Sequence, residues 1–288
     1  MPADRLTPPE GQWSQHNIWF PDRATAISVA TQEIGPALAS TQRTGELHCW
    51  WYLSKNPWRL RYRPLGQSPS PAITQMLARL IAESRIIGST SEVYEPETRA
   101  FGGPDGTSIA HRLFHHDSRH LLAQRRPPTG TLLGHRELSV VLCSALMRGA
   151  GLDIFEQGDV WGRVAGQRPA RLSQSPQQPI IELERLMLAL MSGDPRRLCR
   201  LDGTVTGYES WISAFERAGK DLAALARQGR LSRGLRAVLA HQMIFHFNRA
   251  LLPTGDQAML ADLAIGAVFG RGEGPALSTH HQQHQFVR

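Results

Sequence analysis

Leu47-His48-Cys49-Trp50-Trp51-Tyr52-Leu53, then Ser54-Lys55-Asn56-Pro57, then Trp58-Arg59-Leu60-Arg61-Tyr62-Arg63, is the stretch on which the fold turns. Two runs rich in aromatic residues flank a short polar turn centred on Lys55-Asn56-Pro57, the pattern of two strands joined by a tight connection. Side chains alternate between the faces of a strand, so Trp58, Leu60 and Tyr62 share one face and Arg59, Arg61 and Arg63 the other. Upstream, residues 15–20 read as a strand and residues 23–38 as a helix. Asp22 is its N-cap, and Ile27, Ala30, Ile34 and Leu38 fall on one side. Downstream, residues 71–83 form an amphipathic helix and residues 91–95 a last strand. The order strand-helix-strand-strand-helix-strand predicts a ferredoxin-like βαββαβ sheet.

From Ser108 the pattern changes to helix. Segments near 108–123, 135–149, 153–165, 179–192, 207–228, 232–251 and 256–269 are separated by Gly, Pro or Ser breaks, the longest at 166–179. The predicted class is therefore α+β, with a sheet part at 13–105 followed by a largely helical part at 106–269, together one domain. Residues 1–12, with several prolines, read as a flexible N-terminus, and the His- and Gln-rich 270–288 as a disordered tail.

The chain of 288 residues is long enough for a sizeable core. All but two of its 32 basic residues, Lys55 and Lys220, are arginine, and the net charge of +7 favours anionic partners such as carboxylates or acidic peptides. No apolar run approaches the ~18 residues of a membrane span, and no basic-then-apolar segment opens the chain. Cys49, Cys143 and Cys199 are odd in number and lack paired spacing, which argues for reduced thiols and against a zinc ribbon. A cytoplasmic protein is expected. The glycines do not form a phosphate-binding loop, and the dispersed arginines show no basic-aromatic RNA motif, so no direct nucleic-acid contact is expected.

Tyr94-Glu95-Pro96-Glu97-Thr98-Arg99-Ala100-Phe101-Gly102-Gly103 places two carboxylates, a guanidinium and a phenol just after a strand. Pro96 keeps Glu95 out of a helix, and the glycine pair permits backbone angles closed to other residues. This segment, with Phe114-His115-His116-Asp117-Ser118 beyond it, resembles the thiopeptide-type bacteriocin biosynthesis family. That family corresponds to the C-terminal elimination domain of lantibiotic dehydratases. The resemblance extends to Trp50-Trp51-Tyr52 and Trp58 through Arg63, to Arg136-Glu137-Leu138-Ser139 and Ala150 through Trp161, and to His246-Phe247-Asn248-Arg249. It runs from about Trp13 to about Pro253.

The resemblance implies a lyase that removes glutamate from a glutamylated Ser or Thr of a ribosomally made precursor peptide. A separate subunit, using glutamyl-tRNA, would supply the glutamate. The reaction needs one general base and several fixed cations, with no cofactor and no metal. Carried over residue by residue, the catalytic candidates are Arg59 and Arg61, Arg99, and His246 as base or acid. The substrate-binding candidates are Tyr94, Glu95, Glu97, Asp117, Ser118, Asn248 and Arg249. Two departures stand out. Where the family commonly has arginine before the aromatic-Gly-Gly end, this chain has Ala100, with Arg99 one place earlier; in a strand that shift would reverse the face. The family's histidine position, four before Asn248, is Ile244, with His246 and His241 on either side. On a helix those two would point only roughly the same way, and His241 reads as an ordinary helix histidine. His111 and His115 have i, i+4 spacing, but Arg112 stands where a zinc protease has glutamate.

Two other functions fit the same resemblance: a cycloaddition enzyme that joins two dehydroalanines into a pyridine-type ring, and a non-catalytic module that docks an acidic leader peptide. Arg59, Arg61 and a histidine near Asn248-Arg249 favour the lyase, because a cycloaddition releases no glutamate. A homodimer is open to any of the three.

Overall fold

The computed structural model describes residues 13–66, 69–123, 133–168, 177–198 and 208–271. The expected flexible N-terminus and nearly all of the expected tail lie outside these residues. Four strands, β1 (Ser14–Trp19), β2 (Leu47–Leu53), β3 (Trp58–Pro64) and β4 (Gly88–Val93), form one antiparallel sheet in the order β2-β3-β1-β4. Between β1 and β2 the chain runs through α1 (Arg23–Val29), a π-helical turn (Ala30–Ile34) and α2 (Gly35–Arg43). Asp22 caps α1, its carboxylate accepting the Thr25 amide at 2.8 Å. The helix expected to be uninterrupted over 23–38 is widened because Pro36 brings no N–H and its ring crowds the carbonyl four residues back.

Helix α3 (Pro71–Ala82) packs with α1 and α2 on the face bearing Trp50, Tyr52, Leu60 and Tyr62, and these make the first core. Strand β4 ends at Val93, two residues short of the expected 95. Its partner β1 stops at Ser14, opposite Val93, so Tyr94 leaves the ladder.

The helical part comprises α4 (Pro104–Ala123), α5 (His135–Gly149), α6 (Ile154–Gln167), α7 (Gln177–Ser192), the short α8 (Pro195–Leu198), α9 (Glu209–Arg227), α10 (Leu235–Arg249) and α11 (Thr254–Phe269). Asp153 and Glu156 form a reciprocal capping box at the start of α6, and Val160 and Trp161 are fully buried beneath it. Helices α5 and α9 cross with their backbones in close approach: a Cβ on Gly219 would lie 2.0 Å from the Leu146 carbonyl oxygen.

Helix α4 joins the two halves by covering the open edge of β2. An edge strand presents unpaired amides and carbonyls. Here His115 Nδ1 lies 2.8 Å from the Trp50 carbonyl, and the Tyr52 amide donates to Ser118 Oγ at 3.3 Å. A third core of Trp51, Leu53, Phe101, Ala110, Phe114 and Phe245 fills the space between the sheet and the helices.

Candidate functional site

The strand register builds the site. Trp51 of β2, Arg61 of β3, Gln15 of β1 and Glu92 of β4 stand opposite one another and form one row across the sheet. Leu53, Arg59, Asn17 and Thr90 make the next row. These rows lie on the face away from α1–α3, as the alternation of Arg59 and Arg61 with Trp58, Leu60 and Tyr62 predicts.

Arg61 is only 6% exposed. Its guanidinium carbon lies 4.5 Å from the Trp51 ring centroid and 4.3 Å from that of Tyr94, in the corner made by two rings 5.8 Å apart and inclined at 80°. Cations are attracted to the faces of such rings. Arg61 Nε donates to Gln15 Oε1 at 2.7 Å, and Gln15 Nε2 donates to Asn17 Oδ1 at 3.1 Å. Burial lowers the Arg61 pKa to about 10, so the cation persists at neutral pH.

Tyr94, just past β4, shares a 2.8 Å hydrogen bond between its hydroxyl and His111 Nε2 of α4. Burial raises the Tyr94 phenol above its ordinary range. Burial, aided by Arg61 and Arg63, pushes His111 down to about 3, so its imidazole is neutral. His115, one turn on, faces Trp50 and Gln42 instead, so the i, i+4 pair does not converge.

Glu97 reaches α10, where its Oε2 is 3.1 Å from His241 Nε2. That hydrogen bond holds the Glu97 carboxyl below the usual range, with Lys55 and Arg61 adding to the effect. Burial lowers Lys55, and Arg59 and Arg61 lower it further, against the pull of Glu97. The His241 ring packs 4.8 Å from Phe101 and 5.1 Å from Phe245. Tyr94 and His241 contact Arg61 and Glu97, and Lys55, Arg59, Arg61 and Glu97 act on one another's charge, so these six residues form one cluster between the sheet and α10.

Other expected site residues lie elsewhere. His246, the expected base, is 1% exposed, with Nδ1 3.0 Å from Asp117 Oδ2 and Nε2 3.0 Å from Ser139 Oγ. Five residues along an α-helix amount to a rotation of roughly 140°, so His241 and His246 face away from each other, contrary to the expectation that they would point roughly the same way. Position 241 is one turn before Phe245, which packs with Trp51, Phe101 and Phe114, and that shared face is why His241 and not His246 lies beside Glu97.

Asp117 also accepts Arg249 Nε at 2.7 Å and Trp211 Nε1 at 2.9 Å. Burial alone would raise its carboxyl, but His246 and Arg249 outweigh that and bring it to about 2. Arg249 is fully buried, and its carbonyl accepts the Tyr52 hydroxyl at 2.8 Å. The Asn248 carbonyl accepts the Ser54 hydroxyl. Asp117 and His246 therefore tie helices to one another, while Ser118 and the Asn248 and Arg249 carbonyls tie them to β2 and the turn after it.

Glu95 and Arg99 are exposed. Residues 98–103 form a turn, with the Gly103 amide on the Thr98 carbonyl and φ of 82° at Gly102 and 104° at Gly103. The face-reversal argument for Arg99 therefore does not apply. At the altered position the Ala100 carbonyl accepts Arg233 Nη1 at 2.9 Å. A separate cavity of about 650 Å³ lies behind the hairpin, lined among others by Arg23, Ile27, Thr31, Tyr52 and Trp58; none of the cleft residues lines it.

Gln15, Lys55, His111 and His241 are the members that the sequence did not single out for this site. Gln15 could be found from strand register, and His241 from the helix face it shares with Phe245.

Comparison with known proteins fits this geometry into a family. Among curated proteins none matches the chain. The tRNA-dependent lantibiotic dehydratase MibB from Microbispora sp. 107891 shares the fold with a TM-score of 0.67 and 17% identity, over 92% of this chain but only 28% of MibB. TsrL does so with a TM-score of 0.58 and 16% identity, over 88% of this chain and 93% of TsrL. TbtD, a pyridine synthase from thiomuracin biosynthesis, gives 0.54 and 12%, over 90% of this chain and 98% of TbtD. At these identities the likeness is one of fold. The profile of the lantibiotic biosynthesis dehydratase C-terminal family, however, matches residues 13–267, and the chain belongs to that family.

Proposed function

We propose that this protein is a lyase that eliminates glutamate from glutamylated Ser or Thr of a ribosomally made precursor peptide, leaving dehydroalanine or dehydrobutyrine. A base removes the Cα proton, its electron pair forms the Cα–Cβ double bond, and the Cβ–O pair leaves with glutamate as its carboxylate. His241 is the base, with Glu97 accepting its Nε2–H and orienting the ring. Arg61 and Arg59 meet the departing carboxylate and the charge that develops on the neighbouring carbonyl. His241 thus takes the role expected of His246.

The single observation that carries the reading is Arg61. A nearly buried guanidinium, fixed by two aromatic rings and a glutamine without a carboxylate bound to it in the described residues, is preorganised to grip an incoming carboxylate in two-pronged fashion. Tyr94 is a substrate contact in this reading, and Glu95 and Arg99 are exposed. A separate glutamylating subunit supplies the substrate. The strand order β2-β3-β1-β4 supports the ferredoxin-like description of the sheet part, and residues 13–269 are read as one elimination-type domain.

The shared fold with TbtD over nearly all of that chain keeps ring formation as the second reading. Incubating the protein alone with a glutamylated Ser/Thr peptide, and mapping products by mass, separates the two. Loss of glutamate with formation of dehydro residues supports the lyase. An intact adduct refutes it, and ring formation with leader loss from a dehydroalanine-rich peptide would put cycloaddition in its place. Binding without conversion would leave a docking module.

A further inference from the structure

We propose that His111 is a positioning residue of the cleft: its imidazole holds the Tyr94 phenol against the Arg61 guanidinium, and so fixes the plane in which Arg61 meets a substrate carboxylate. The inference rests on the lyase reading of the cleft given above.

The two rings that corner Arg61 are held in different ways. Trp51 lies inside β2, paired with Arg61 across the ladder, and is fully buried. Tyr94 follows the last paired residue of β4, and Pro96 lies two residues further on, so no sheet hydrogen bond fixes its backbone. A side-chain restraint must supply what the ladder does not. The 2.8 Å bond to His111 Nε2 is that restraint, and it comes from a helix separate from the strand carrying Arg61. The imidazole is itself boxed in, 4.6 Å from Trp13, 5.9 Å from Trp51 and 6.4 Å from Phe114, so it cannot follow a wandering tyrosine. Burial and the nearby arginines keep it neutral. It can therefore hold the phenol without placing a second cation beside Arg61.

The test uses the full chain and a glutamylated serine peptide, with wild type, His111→Phe, Tyr94→Phe and the double variant compared for kcat, KM and Tm. His111→Phe is expected to lower kcat about tenfold with Tm kept, whereas in the Tyr94→Phe background the same change has less than about a twofold effect. His111→Gln, which keeps a hydrogen-bonding group, recovers part of the rate. An undiminished kcat in His111→Phe, or an equal loss in both backgrounds, overturns the proposal. If wild type releases no glutamate, the lyase reading fails, and the proposal is then decided by nitrogen NMR of the histidines. The His111 Nε2 signal shifts in Tyr94→Phe if the proposal is right, and an unchanged signal overturns it.

Discussion

Asp117→Asn tests whether the buried network beneath the cleft is structural. The Asp117 carboxylate and the Arg249 guanidinium are both 0% exposed and 2.7 Å apart, and the same carboxylate receives His246 and Trp211. Asparagine keeps the shape and one acceptor for the Trp211 indole, but leaves Arg249 as a buried cation without its counter-charge. Breaking one side of such a pair costs about 3–5 kcal/mol. For a chain of this length roughly 2 °C of Tm is lost per kcal/mol, so the midpoint should fall by about 6–10 °C. Chemical unfolding and thermal melts measure the loss, and glutamate release per folded molecule is recorded in parallel. The expected result is a less stable protein whose folded fraction still turns over within about threefold of wild type. An unchanged midpoint with lost turnover would refute the reasoning, because it would return Asp117 and His246 to the chemistry.

Three further outcomes are expected. His241→Ala and Glu97→Gln each lower kcat, by about 10²–10³-fold for His241 as a lost general base; Tm changes little in Glu97→Gln, whose side chain is half exposed, and falls modestly in His241→Ala, which loses its packing on Phe101 and Phe245, and a steady-state assay with melts reads both. Acid should destabilise the fold through His111 and His115, which burial brings to about 3 and about 4 from the ordinary 6.5. As pH falls the unfolded chain takes up those protons first, so this stability is complete above pH 6.5 and is lost toward pH 3–4. By pH 5 each histidine removes about 2 kcal/mol, readable as a shift in urea midpoint that a His115→Leu variant partly escapes. Gly219→Ala should destabilise by at least about 1–3 kcal/mol, since its Cβ would meet the Leu146 carbonyl at 2.0 Å, and a denaturant titration checks it.

How much of this was legible in the sequence follows from the range of each signal. The hairpin was, because aromatic alternation and a Pro-containing turn are local: Trp58, Leu60 and Tyr62 do face the first core, and Arg59 and Arg61 the other way. Helix ends were nearly so, and Asp22 caps as expected. What could not be read was which residues meet across elements. Gln15 looked like any strand residue until register set it beside Arg61. The turn at 98–103 was read with strand logic, and only its backbone hydrogen bonds show otherwise. His246 matched the family segment by nearness in sequence, but helical phase turns it toward Asp117 and Ser139 and brings His241 to Glu97. Asp117 and Ser118 carried a motif that holds α4 to its neighbours, a role a linear pattern cannot distinguish from substrate binding.

The most direct test of the central claim is the rate of glutamate loss from a glutamylated peptide with wild type and with Arg61→Ala, each verified as folded by its melt. Rapid loss with wild type and none above background with Arg61→Ala is the predicted result. Equal loss with both would contradict the account, since the cornered guanidinium would then have no part in the reaction.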